Sequence, residues 1–378
     1  MNAPSPTPLA QEIAREIALT GPITVADYME RCLLHPRFGY YTTHEPFGAE
    51  GDFVTAPEIS QIFGELLGLW AADTWMRLGS PPSFVLAELG PGRGTMMADV
   101  LRATQGVPGF RDAAHVVLVE ASPRLRSRQA DTLQRFDLSW APSVDELPAG
   151  PLILLANEFF DALPIRQFVR THEGIAERMV GLSEDGALAF GLRPGVRLDP
   201  RAEALLHAAP IGALLEICPA GLMIAQRLGA RLSAKDGTGG GAALLIDYGH
   251  GGGFGDTLQA LRQHAFDDVL AHPGEADLTA HVDFSALARA AVRGGALAYG
   301  PLAQGALLER LGLDARAERL KRNADTPTRG AIDAAHARLA GTGEGQMGTL
   351  FKALVLTHPL LDTPAGFASG EAFRDMST

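Results

Sequence analysis

Three glycines at alternate positions, Gly90, Gly92 and Gly94, follow the apolar run Phe84–Leu89 and precede a helical stretch from Met96 to Ala103. Without Cβ atoms, such a loop turns tightly and lets a ligand approach the backbone. A dinucleotide-binding loop needs a further glycine three residues after the second. That position is Thr95, which disfavours a nicotinamide dinucleotide. Glu88, two residues before the first glycine, sets a carboxylate at the mouth of the loop. Glu120 closes the next apolar run, His115–Glu120, where a carboxylate can accept both hydroxyls of a ribose. It stands 26 residues beyond Gly94, more than the usual ~20, and the excess matches a loop around Gly106–Gly109. Asp145-Glu146-Leu147 lies where the following loop would meet a base. The plainer alternatives are a structural glycine turn and a solvated glutamate at a strand end.

The segment Asn157-Glu158-Phe159-Phe160-Asp161-Ala162-Leu163-Pro164 offers an amide, two carboxylates and two aromatic rings. A carboxylate grips a guanidinium through two parallel hydrogen bonds, whereas an ammonium makes a point contact. Aromatic faces stack on the guanidinium plane. Arginine is thus favoured over lysine as the group acted on; the alternative is that Asn157 and Asp161 cap a helix. Gly51-Asp52-Phe53 can fold over a nucleoside as a lid, Asp52 polar and Phe53 apolar, or serve as a turn and a core residue. In Asp277–Phe284, His281 is a base or a packed histidine, and Asp283 a helix N-cap. Glu216 and Asp247 are weaker candidates for substrate contact.

The elements that must hold these residues follow from periodicity. Phe84–Leu89, His115–Glu120, Leu152–Asn157 and Ala242–Gly249 are short apolar runs, and helical patterns follow the first two, the second over Pro123–Phe136. That alternation predicts a parallel doubly wound sheet, and ligands of such sheets bind at the carboxyl ends of the strands. The Asn157–Pro164 loop ends one strand and so faces the reacting end of a bound ligand. Leu9, Ile13 and Ile17 predict an amphipathic helix, a second begins at Ile23, and a long apolar helix spans about Glu58 to Leu78. Phe168-Val169, Arg178–Leu182 and Ala187–Phe190 predict antiparallel strands around the turn Glu184-Asp185-Gly186. Leu350–Leu356 predicts a last strand.

Composition narrows the partners. The chain has 378 residues, 46% hydrophobic and 20% charged, with a formal net charge of −12. A core of ordinary size is therefore available, and nucleic acid is not an expected partner, because phosphate binding wants a basic face. An acidic surface suits a small cofactor and a basic protein substrate. Cys32 and Cys218, far apart, imply neither a zinc site nor a disulfide framework and fit a reducing compartment. No signal peptide, mitochondrial presequence or membrane span is expected, and the expected location is cytoplasmic.

An acid two residues before the first glycine is the pattern of class I methyltransferases, where it holds the ammonium of the methionine end of S-adenosylmethionine, directly or through water. The sequence further resembles the MidA family of these enzymes, the complex I assembly factor family, along Gly51–Glu58, Phe63-Gly64, Glu88–Thr95, Asn157–Pro164, Asp247–Gly249, Asp277–Phe284, Met347-Gly348 and Phe351-Lys352. The stretches at Asn157–Pro164 and Asp277–Phe284 are the most specific. The resemblance implies an α/β class I methyltransferase (Rossmann-like) doubly wound sheet with an N-terminal helical extension and a β-rich insertion. The expected organisation is the extension and lid over 1–80, core over 81–164, insertion over 165–235 and core again over 236–378. S-adenosyl-L-methionine is the implied cofactor, bound by Glu88, Gly90, Gly92, Gly94 and Glu120, with Asp52 in second rank; Glu158 and Asn157 orient the acceptor; no metal is expected. The implied activity is protein arginine N-methylation, with symmetric dimethylation of the NuoD-type subunit of NADH:ubiquinone oxidoreductase. A small-molecule methyltransferase and a cofactor-binding assembly chaperone without catalysis are the alternatives. The oligomeric state is not legible.

Overall fold

The computed structural model describes residues 6–44, 55–234 and 239–375. The chain divides into two compact units. One comprises Val54–Phe159, Leu222–Gly251 and Val282–Thr378; the other comprises Met1–Phe53, Phe160–Gly221 and Gly252–His281.

The first unit is built on a seven-stranded sheet extended by a short parallel pairing of Val282-Asp283 with Gly249-His250. Its strands are β1 (Phe84–Leu89), β2 (Ala114–Val119), β3 (Leu138–Ala141), β4 (Leu152–Asn157), β5 (Gly241–His250), β6 (Leu297–Ala303) and β7 (Phe351–Thr357). They lie in the order β3-β2-β1-β4-β5-β7-β6. β1 pairs in parallel with β2 and β4, and β4 with β5, while β7 runs antiparallel to both its neighbours. Every residue of β1 and β4 is buried, as continuous apolar runs demand of strands covered on both faces. The winding reverses between β1 and β4, the switch point at which ligands of open α/β sheets bind, outside the carboxyl ends of the strands. This is the α/β doubly wound architecture expected from the alternation of strands and helices.

Four helices of this unit precede or follow its first strands in the chain: α1 (Ala56–Ile59), α2 (Gln61–Arg77), α3 (Thr95–Ala103) and α4 (Pro123–Thr132). The single long helix expected from Glu58 is broken at Ser60. Ser60 is extended (φ −161°, ψ 136°) and its hydroxyl accepts the Ile62 N–H at 3.2 Å, starting α2 anew. α2 then packs hard on α3, since a Cβ at Gly64 would stand 2.6 Å from Asp99 Cβ. Phe63, Trp70, Met97 and Val100 join Leu86, Ile153 and Leu155 in one core.

The second unit carries the antiparallel strands expected between residues 165 and 198. Arg166–Thr171, Gly174–Leu182 and Leu188–Pro194 pair consecutively, with Leu214–Ile217 and Ile23-Thr24 completing the sheet. Helices Pro8–Thr20 and Val25–Leu34 supply Leu9, Ile13, Ile17, Val25 and Met29 to its core. A small three-stranded sheet within residues 259–279, and β6 in the first unit, were not anticipated.

Candidate functional site

The glycine loop leaves β1 with Gly90, Gly92 and Gly94 all left-handed (φ +59°, +52° and +82°), a region open to glycine and costly to other residues. A Cβ on Gly90 would lie 2.8 Å from the ring of Phe159, so this loop packs directly on the residue after Glu158. The Gly92 carbonyl accepts from Gln129 Nε2 at 2.9 Å. The same nitrogen lies 3.3 Å from Glu120 Oε2, and Glu120 Oε1 accepts the Ser122 N–H at 2.7 Å. Gln129, fully buried on α4, thus ties the glycine loop to the glutamate that follows β2. Burial raises the Glu120 carboxyl above its ordinary range, against the hydrogen bonds from Ser122 and Gln129. Sequence reading missed Gln129; its only signal is an uncharged amide amid the arginines of α4.

Glu88 is 2% exposed. Burial pushes its carboxyl up to about 8, opposed by the Met97 backbone N–H. Its Oε2 has no hydrogen-bond partner among the described residues. A buried carboxylate oxygen without a donor is built for a cation or a donor from outside the chain. The ammonium of a methionine moiety meets that demand, so the donor set, the glycine cradle and Glu120 fit S-adenosylmethionine.

Asn157 ends β4, 8% exposed. Its Nδ2 donates to Glu158 Oε1 at 3.0 Å, and its Oδ1 is buried without a partner among the described residues. Glu158 has φ +50°, a conformation a side chain seldom adopts unless its surroundings impose it. Three contacts impose it. The Glu158 N–H donates to the Ile246 carbonyl at 3.0 Å, Glu158 Oε1 accepts the Ala56 N–H at 3.1 Å, and the Phe159 N–H donates to Asp247 Oδ2 at 3.1 Å. Asp247 therefore holds the turn that presents Glu158. No helix starts at Asn157 or Asp161, so neither is a helix cap. Phe160 is 4% exposed, which corrects the expectation that it lies open for stacking; Phe159 packs on Gly90.

Helix α1 clasps both sides of the site. Beyond the Ala56 N–H on Glu158, Glu58 Oε1 accepts from Thr95 Oγ1 at 2.8 Å, with Arg93 Nη1 3.9 Å from Glu58 Oε2. Thr95, which sets this loop apart from a dinucleotide fingerprint, is an anchor for α1. Asp52 and Phe53 lie outside the described residues. Asp145 is half-exposed and ion-paired with Arg227. Asp283 caps helix Phe284–Arg293, accepting the Ala286 N–H at 2.9 Å. In the second unit, Glu216 accepts from Gln167 Nε2 at 2.8 Å and from the Thr257 N–H at 3.1 Å, and the His281 N–H donates to Thr257 Oγ1 at 2.9 Å. Among the described residues no cluster of His, Cys, Asp and Glu can hold a metal ion, and no helix is long and apolar enough to cross a membrane.

The chain is similar to known proteins. A family model described as "Putative S-adenosyl-L-methionine-dependent methyltransferase" matches residues 66–302. The Homo sapiens protein named "Protein arginine methyltransferase NDUFAF7, mitochondrial" is 38% identical over 348 residues, 85% of this chain and 77% of that protein. Its Drosophila melanogaster homolog is 37% identical over 377 residues, 92% of this chain and 84% of that one. A crystal structure of a superfamily member from Burkholderia thailandensis bound to S-adenosyl-homocysteine superposes with a TM-score of 0.82 at 28% identity, covering 98% of this chain and 99% of that chain.

Proposed function

The chain belongs to this family of S-adenosyl-L-methionine-dependent methyltransferases, and from that premise we propose that it methylates arginine side chains of a protein. S-adenosyl-L-methionine is the cofactor, and when bound it supplies a methyl group on a sulfonium, already a good leaving group. The enzyme's remaining work is in-line positioning and electrostatics.

The observation that carries the reading is Glu158. Its carboxylate is held at the switch point of the sheet, in a left-handed backbone, by the Ala56 N–H and Asn157 Nδ2. A carboxylate so placed accepts guanidinium N–H bonds and orients one nitrogen lone pair. The names of the relatives support arginine. The family resemblance supports a narrower target, the NuoD-type subunit of NADH:ubiquinone oxidoreductase, and symmetric dimethylation. An arginine is buried or paired once a complex assembles, so methylation precedes assembly, on the free or partly folded subunit.

The test deletes the gene and examines that subunit by mass spectrometry, with complementation by the parent protein and by Glu158→Gln. Methylated arginine should vanish on deletion and return only with the parent. In vitro, Glu158→Gln should keep cofactor binding and lose transfer by roughly two orders of magnitude, the scale of deleting one transition-state contact. Arginines equally methylated with and without the protein would sink the substrate assignment.

A further inference from the structure

Among the buried side-chain oxygens of the first unit that lack a hydrogen-bond partner within the described residues, Glu88 Oε2 and Asn157 Oδ1 belong to neighbouring strands near their carboxyl ends. Most buried polar atoms in native structures have a partner, and an exception calls for an explanation. The sheet register brings the two residues to one face. Glu88 stands opposite Leu155 across β1 and β4, and side chains alternate along a strand, so Asn157, two residues on, shares the face of Glu88. With strands ~4.8 Å apart and a rise of ~3.3 Å per residue, the two positions are roughly 8 Å apart. A glutamate and an asparagine can reach a single small group across that span.

Chemistry decides which end of the Asn157 amide is which. Its Nδ2 lies 3.0 Å from Glu158 Oε1, and the reversed amide would set oxygen against a carboxylate oxygen. Oδ1 is therefore the unmatched end, an acceptor. The group that satisfies both residues must bring several N–H donors and, beside a buried carboxylate, a positive charge. The ammonium at the methionine end of the cofactor has three donors and one charge.

We infer that Asn157 is a two-ended link, its Oδ1 accepting from the cofactor ammonium that Glu88 Oε2 also holds, and its Nδ2 keeping Glu158 Oε1 in place. An occupied ammonium site then secures both ends of the amide that holds Glu158. Only this second half rests on the reading of Glu158 as the acceptor carboxylate.

Calorimetry with two ligands tests the link. S-adenosylhomocysteine keeps the amino-acid end; 5′-methylthioadenosine lacks it. Asn157→Ala should weaken S-adenosylhomocysteine about tenfold, the scale of one lost hydrogen bond to a charged group, and leave methylthioadenosine unchanged. Added to Glu88→Gln, Asn157→Ala should have less effect than alone, since both act on one ammonium. Equal weakening of both ligands makes the residue merely structural, and unchanged S-adenosylhomocysteine affinity removes Oδ1 from the cofactor; either overturns the link. No acceptor is present in these measurements, so a failed arginine assignment leaves their outcome untouched.

Discussion

At the scale of single residues, Glu88 sets a pH dependence whose sign can be worked out. Burial lifts its carboxyl from 4.5 to about 8. Between those values the native chain binds the proton and the unfolded chain does not, so the protein without cofactor loses stability as pH rises through that window. Below it both states are protonated and above it both are ionised, and the contribution is flat. An ammonium favours the ionised carboxylate, so cofactor binding at pH 7 should expel about one proton. S-adenosylhomocysteine titrated calorimetrically in buffers of differing ionisation enthalpy reads that number directly. Glu88→Gln should remove most of the release; an unaltered release would assign the titration to another group. The sequence marked Glu88 by its spacing from Gly90, but the missing donor at Oε2 depends on residues far along the chain. Glu158 was placed at a strand end by its neighbours; its left-handed backbone was hidden, because glutamate carries no local signal for positive φ.

At the scale of elements, the glycine loop and the Glu158 turn form one packed object. Gly90→Ala puts a methyl group 2.8 Å from the Phe159 ring at φ +59°, so loop and turn must shift together. Stability should drop by about 1–3 kcal/mol, and both S-adenosylhomocysteine affinity and turnover should fall at least about tenfold, given the sensitivity of transfer to ~1 Å misplacement. Gly21→Ala is the control: φ is +88° with nothing within 4 Å of an added Cβ. It should lower the melting temperature and leave binding alone; a matching loss of affinity in the control would mean that the Gly90 effect is only backbone strain. Strands β1, β2, β4 and β5 were legible because runs buried on both faces need no partner to be recognised. The break at Ser60 was not, since Pro57-Glu58-Ile59-Ser60-Gln61 reads as continuous helix until the Ser60 hydroxyl is seen on the Ile62 N–H. The Glu58–Thr95 bond joins residues 37 apart in sequence, and neither side chain announces the other.

At the scale of the whole molecule, the net charge of −12 should draw in a basic acceptor and do nothing for the methyl transfer itself. KM for an arginine-rich peptide should therefore rise several-fold between about 50 and 500 mM salt, as the Debye length shrinks from roughly 14 to 4 Å, with kcat constant. A kcat that falls in parallel would place the salt effect on the reacting groups. The order of the central sheet also bears on how the protein is made. β7 leaves the ribosome after β6 yet lies between β5 and β6, so until residues 351–357 emerge, β5 offers Ala242–Tyr248 to any extended chain that passes. Vectorial synthesis, which lets many domains close from their amino terminus onward, gives this one no early closure. The newborn polypeptide carries this open edge until its keystone strand arrives.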